Sequence, residues 1–500
     1  MDKVTSPVLN RRQLLALGSV AAGGTVMSRS LRRDAQAAQA APASPANPHA
    51  GHAAPVPSRV STTTVAVTPF TEPMPVPPRL TPVSRRDGID VYEIPIRPAQ
   101  VQILPGLLTP AYTYAGSFVG PTIRARTGRP VRITYTNGLD THANVHLHGG
   151  HVPATSDGHP MDLIPPGGSK VYDYPNLQRG ATLWYHDHTH AYEADHVYRG
   201  LHGFYLIDDP AEHHLRLPAG KYDVPIMLRN AQFDDSGALV FGHPDDRVTI
   251  LANGKAQPYF EVAPRRYRFR LLNAALKHVF RLNLGGEPLT RIATDGGLLP
   301  APTSHTELAL SSGERVEIVI DFAEHAGGGP VYLYDGDNPI LRFDVSSRAV
   351  TDPSRVPVTL RALPPMGTPT VERTVSMSFD MSARPPIALM DGKPFDPLRV
   401  DVQVKRGSTE IWNVVNADTD PFPFDHPFHL HLVTFRVLGR DGGPPAPEDA
   451  GLKDTVYVSP KGSVKIQVTF ATPYLGQYVY HCHYLEHSSL GMMAQLEVVP

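Results

Sequence analysis

The chain has 500 residues, 41% of them hydrophobic and 19% charged, with a formal net charge of −2. That balance argues against a nucleic-acid or polyanion partner, and the length exceeds one β-sandwich and suits roughly two to four domains. Abundant proline (52) and glycine (41) fit many short strands joined by turns rather than long helices, and a single cysteine allows no disulfide within the chain.

The chain opens on a twin-arginine pattern, Asn10-Arg11-Arg12-Gln13-Leu14-Leu15. The apolar run that follows, to about Met27, is too short and glycine-rich to span a membrane stably. Ala35-Gln36-Ala37 and Ala38-Gln39-Ala40 both offer a cleavage site, with Arg29, Arg32 and Arg33 lying between them and the apolar run. Residues 1–40 are therefore expected to be a twin-arginine signal peptide that exports the folded protein to an extracytoplasmic place: secreted, cell-wall or periplasmic. Residues 41–70, rich in Ala, Pro, Ser and Thr, read as a flexible lead-in in which His49 and His52 are solvated. No other run reaches membrane-spanning length, so no stable membrane insertion is expected.

From there one pattern appears three times. Gly128-Arg129-Pro130-Val131-Arg132-Ile133-Thr134-Tyr135-Thr136-Asn137 returns in outline as Pro264-Arg265-Arg266-Tyr267-Arg268-Phe269-Arg270-Leu271-Leu272-Asn273 and as Gly407-Ser408-Thr409-Glu410-Ile411-Trp412-Asn413-Val414-Val415-Asn416. Each copy is a turn, an alternating strand and a terminal Asn, at a domain-sized period of roughly 140 residues. A second strand follows each time: it begins at Gly168-Ser169-Lys170, at Gly313-Glu314-Arg315 and at Gly462-Ser463-Val464. Two elements in the same order, three times over, predict an all-β chain of three consecutive sandwich domains at 71–212, 213–350 and 371–500, with a proline-rich linker at 351–370.

Four motifs gather the histidines: His146-Leu147-His148, Trp184-Tyr185-His186-Asp187-His188, His426-Pro427-Phe428-His429-Leu430-His431 and His481-Cys482-His483. In each, His-x-His on a strand turns both imidazoles to one face. The last motif puts Cys482 on the face opposite its two histidines, so one strand feeds two metal sites. His487 and Met492 follow; a thiolate, imidazoles and a thioether are the ligands of a blue-copper centre. The middle repeat has no such motif, so a shared cluster must form between the first and third domains, with the middle domain as a spacer or as a wall of a substrate site.

The four motifs, their order and their placement resemble the three-domain multicopper oxidases over about residues 70–500. Segments such as Gly200-Leu201-His202-Gly203-Phe204 look closest to the spore-coat laccase, bilirubin oxidase and phenoxazinone synthase branch. The resemblance implies cupredoxin-like Greek-key domains and four copper ions. By position, His426, Cys482, His487 and Met492 would hold the blue copper. His146 and His429 would hold the single copper of a trinuclear cluster, and His148, His186, His188, His431, His481 and His483 its coupled pair. His190 and Met493 are alternatives at two of these positions, which the family spacing disfavours. It further implies that Glu486 and Asp157 assist proton delivery, although Asp157-Gly158 also reads as a turn and Glu486 as a solvated acid. His151, His159, His196, His202, His213 and His214 match no ligand position. Trp184 and Trp412 read as core, and Asp187 as facing away from the metals. The implied activity takes single electrons from small aromatic donors, such as phenols and aminophenols, and reduces dioxygen to water. A cuprous-ion oxidase and a copper-free scaffold are the competing readings; the first often carries a Met-rich segment, whereas this chain has 11 methionines and no such run.

Overall fold

The computed structural model describes residue 65 and residues 67–421 and 423–500. The expected signal segment and most of the lead-in lie outside the described residues. The described strands form six sheets, two from residues 84–208, two from 223–345 and two from 371–499, and each pair encloses its own hydrophobic core. The chain is thus all-β, with three consecutive cupredoxin-like sandwiches. No described helix is long and apolar enough to cross a membrane. Residues 351–370 contain no strand, but Leu360 is buried against Ile292 and Leu298.

The repeat seen in the sequence is a repeat of pairing. Val131–Asn137 alternates buried and exposed positions, as a half-buried strand must. It lies parallel to Ile89–Val101 and antiparallel to Ser169–Tyr174. Arg266–Asn273 has the same neighbours in the second sandwich, Asp223–Ala231 and Arg315–Asp321. Thr409–Asn416 has them in the third, Val371–Asp380 and Ser463–Thr469.

The terminal asparagine of each copy repeats one hydrogen-bond pattern. Asn137 Nδ2 donates to the carbonyls of Thr141 and Ile164, both at 2.8 Å, and its Oδ1 accepts from Leu139 N–H. Asn273 bonds in the same way to His278, Leu310 and Ala275, and Asn416 to Phe424, Ser459 and Asp418. The side chain ties the strand end to the following loop and to a distant one. Asn→Ala at any of the three is expected to cost about 2–4 kcal/mol, because it leaves buried backbone groups unpaired. Denaturant titration of Asn137→Ala would check this; a loss under about 0.5 kcal/mol would refute it.

Candidate metal centre

Two strand pairings assemble the four histidine motifs. The strand His146–His148 pairs antiparallel with Ala181–His186, placing His146 opposite His186. His426–Leu430 lies between Thr455–Val458 and Gly476–Cys482, with His429 opposite His481 and Phe428 opposite Cys482. Alternation along the last strand then separates two sites. Cys482 Sγ turns into the third core, 3.5 Å from His426 Nδ1 and 3.6 Å from His487 Nδ1, and those nitrogens are 3.1 Å apart. Met492 packs with Cys482 in that core, whereas Met493 stands directly across from His481 and shares its face.

The other eight imidazoles meet between the first and third sandwiches, none more than 1% exposed. His146 stacks on His431 at 3.8 Å and His148 on His429 at 3.7 Å. In most of these rings a protein oxygen holds one nitrogen and leaves the other facing inward. Nδ1–H donates to a backbone carbonyl in His146 (Asp157, 2.6 Å), His186 (Asp187, 2.8 Å), His429 (Asp454, 2.8 Å) and His481 (Cys482, 2.9 Å). His431 Nδ1–H donates to Asp157 Oδ2 at 2.7 Å. His148 is the exception in orientation, donating from Nε2 to Asp454 Oδ1 at 3.0 Å.

This leaves Nε2 of His146, His186, His429 and His483, and Nδ1 of His148, buried without partners. Nε2 of His188 and of His431 crowd His481 Nε2 at 3.2 and 3.3 Å. A buried nitrogen left unpaired costs about 1–3 kcal/mol, and protonation offers no relief. Burial, reinforced by neighbouring imidazoles, holds the pKa of His146, His148, His188, His429, His431 and His483 well below the usual range. Burial also brings His186 down to about 3 and His481 to about 4. Converging lone pairs on neutral imidazoles are a ligand set for copper. At the other site burial pushes the Cys482 thiol up, so a bound cation is what would stabilise its thiolate.

Two aspartates cross between domains to orient these rings. The Asp157 carbonyl holds His146 of its own sandwich, and its carboxylate holds His431 of the third. Asp454 mirrors this: its carbonyl holds His429, and its carboxylate holds His148 of the first. Buried Arg315, from the middle sandwich, donates to Asp454 Oδ1 at 2.7 Å, and Asp295 accepts from Arg315 N–H at 2.7 Å. Ser312 Oγ lies 3.4 Å from His483 Nδ1. The middle domain supplies no imidazole to the cluster, yet it is more than a spacer.

The two acids implied by the resemblance fare differently. Asp157 reaches the cluster from behind, and burial raises its pKa to about 6. Glu486 does not reach it: Oε1 accepts from Arg247 Nη2 at 2.6 Å, and the side chain is 20% exposed. The helix Leu485–Ser489 turns Glu486 away from the strand that carries the imidazoles. The buried acid near the cluster is Glu193, which opens the helix Glu193–Arg199, with Oε1 3.6 Å from His188 Nδ1 and 4.0 Å from His186 Nδ1. Its Oε2 accepts from Ser488 Oγ at 2.6 Å, and burial pushes its pKa up to about 8.

Sequence reasoning missed Glu193, Asp454, Arg315 and Asp418, the last of which accepts from His426 Nε2 at 3.0 Å. Glu193, five residues after His188, was the one near enough to a motif to be noticed. Asp187 faces away from the rings and meets His196 Nδ1 at 3.1 Å. Trp184 is core, as its composition suggests, but stacks on His186 at 4.2 Å. Among the described residues, none of His151, His159, His190, His196, His202, His213 and His214 joins a group with metal-ligand spacing.

Three consecutive stretches, 96–212, 222–331 and 365–500, match family models described as multicopper oxidase. The laccase of Bacillus subtilis (strain 168) is 34% identical over 510 residues, covering 86% of this chain and 98% of that protein. Bilirubin oxidase of Albifimbria verrucaria is 34% identical over 466 residues, covering 85% and 80%. The crystal structure of a laccase from Pediococcus acidilactici superposes with a TM-score of 0.80 at 30% identity, covering 87% of this chain and 95% of that one. With convergent donors on one side and full-length relatives on the other, the chain belongs to the multicopper oxidase family, copper-dependent oxidoreductases that carry four copper ions and use dioxygen as acceptor.

Proposed function

We propose that this oxidase is laccase-like, drawing single electrons from small aromatic donors such as phenols and aminophenols. His426, Cys482, His487 and Met492 hold the blue copper in this reading. His146 and His429 hold one copper of the trinuclear cluster, and His148, His186, His188, His431, His481 and His483 hold the other two. Copper held at these residues would supply one-electron acceptance at the blue site and four-electron reduction of dioxygen at the cluster.

The observation that carries the reading is the position of His487. It is 5% exposed, whereas every other assigned ligand is 1% exposed or less. Electrons therefore enter through the His487 edge. Phe379 meets that ring edge-on at 4.9 Å, and Phe424 and Tyr484 lie 5.9 and 5.5 Å away. Aromatic walls beside an imidazole edge suit a planar aromatic donor. Asp157 and Asp454 fix which ring nitrogens of His431 and His148 stay free for a metal, and the Glu193 carboxyl stands beside His188.

The cuprous-ion alternative lacks the methionine run such a donor would favour. Steady-state assays of the copper-loaded chain on 2,6-dimethoxyphenol and on cuprous ion discriminate the two. We expect kcat/KM for the phenol to be higher by about tenfold or more; the reverse order would replace the aromatic reading by the cuprous one.

A further inference from the structure

The residues on either side of His487 are each fastened to a different domain. Leu485–Ser489 is a helix of five residues with no side-chain cap at its N-terminus, and a helix so short has little stability of its own. Contacts from outside its sandwich hold it. From the second domain, Arg247 Nη2 donates to Glu486 Oε1 at 2.6 Å, and the Leu276 carbonyl accepts from Leu485 N–H at 3.2 Å. From the first, Glu193 Oε2 accepts from Ser488 Oγ at 2.6 Å, and Ala194 N–H donates to Ser489 Oγ at 3.0 Å. Leu485 packs into a small apolar cluster with Ala194, Val197, Tyr198 and Leu276. Arg247 is itself locked in place: its side chain is fully buried, lies over the rings of Tyr198 and Phe241 at 5.1 and 5.3 Å, and donates to the Gly242 carbonyl.

We propose that Arg247 and Glu193 are positioning residues for the blue-copper ligand His487, acting through Glu486 and Ser488, so that the first two domains help to set the potential of the electron-entry site. This rests on assigning His487 to the blue copper. A copper site's potential follows ligand orientation and the charge around it. The Arg247–Glu486 pair is neutral as a unit. Neutralising Glu486 leaves a cation beside the ligand and favours the reduced metal, whereas neutralising Arg247 leaves an anion and disfavours it. The Ser488–Glu193 bond carries no net charge change and acts on geometry alone.

The test measures the midpoint potential, thiolate absorption and EPR hyperfine splitting of the copper-loaded full chain, with copper counted per chain. Glu486→Gln is expected to raise the potential and Arg247→Met to lower it, each by about tenfold in the reduction equilibrium, ~59 mV for one electron. Ser488→Ala is expected to change the hyperfine splitting. Glu193→Ala should reproduce that change, and Glu193→Gln, whose amide oxygen still accepts from Ser488, should restore the wild-type spectrum. Should Arg247→Met or Glu193→Ala fail to fold, Glu486→Gln and Ser488→Ala decide, since they remove one charge and one oxygen. An unmoved potential in Glu486→Gln together with an unmoved splitting in Ser488→Ala overturns the proposal. A wild-type chain that loads copper without a thiolate band would overturn the His487 assignment itself.

Discussion

Asp454→Ala is expected to empty the trinuclear cluster while leaving the blue copper in place. The Asp454 carboxylate fixes His148 through Nε2 and is the main partner of Arg315, which is fully buried. Alanine keeps the carbonyl that holds His429 but leaves His148 Nε2 only the Thr455 hydroxyl, at 3.1 Å, and strands a guanidinium among the three domains. Removing one partner of a buried pair costs about 3–5 kcal/mol, and Asp295, whose carboxylate lies 3.5 Å from Arg315 Nη1, offsets only part of it. Copper per chain should fall from four toward one, the shoulder of the coupled pair should vanish and the thiolate band should remain. Asp454→Asn, which keeps the shape, should fall between. Four coppers and wild-type stability in Asp454→Ala would show that the crossed aspartates do not organise the cluster.

Glu193→Gln is expected to slow dioxygen reduction with the blue spectrum intact. Burial raises the Glu193 pKa to about 8, which brings its proton exchange into the neutral range. Oε2 is engaged by Ser488, and Oε1 has no hydrogen-bond partner and faces His188 and His186. Making water consumes protons, and this carboxyl stands where it can hand one to the cluster. Glutamine keeps the shape and the Ser488 bond but cannot give up a proton. Losing a general acid typically costs about 10²–10⁴ in rate, so turnover should drop by that order while anaerobic reduction of the blue centre by a phenol proceeds normally. Turnover within twofold of wild type would remove Glu193 from the reaction. Glu486, held by Arg247, is expected to act on the potential instead.

The sequence by itself determined the repeats and the imidazoles, because both are written in local rules. A strand alternates faces every residue, so His481-Cys482-His483 already separates a thiolate site from an imidazole site, and Asn137, Asn273 and Asn416 already mark equivalent strand ends. The pairing of Met493 with His481, seen only in the structure, puts the Met493 side chain on the imidazole face of that strand. What only the tertiary structure decided are the contacts that no period connects. Asp157 reaches His431 across 274 residues and Asp454 reaches His148 across 306. Those bonds select Nε2 of His431 but Nδ1 of His148 as the free nitrogen. Likewise, two short helices from different sandwiches put Glu193 beside the cluster and turn Glu486 toward Arg247. Spacing along a strand fixes which way a side chain points; which carboxylate stands behind it depends on how separate sandwiches pack.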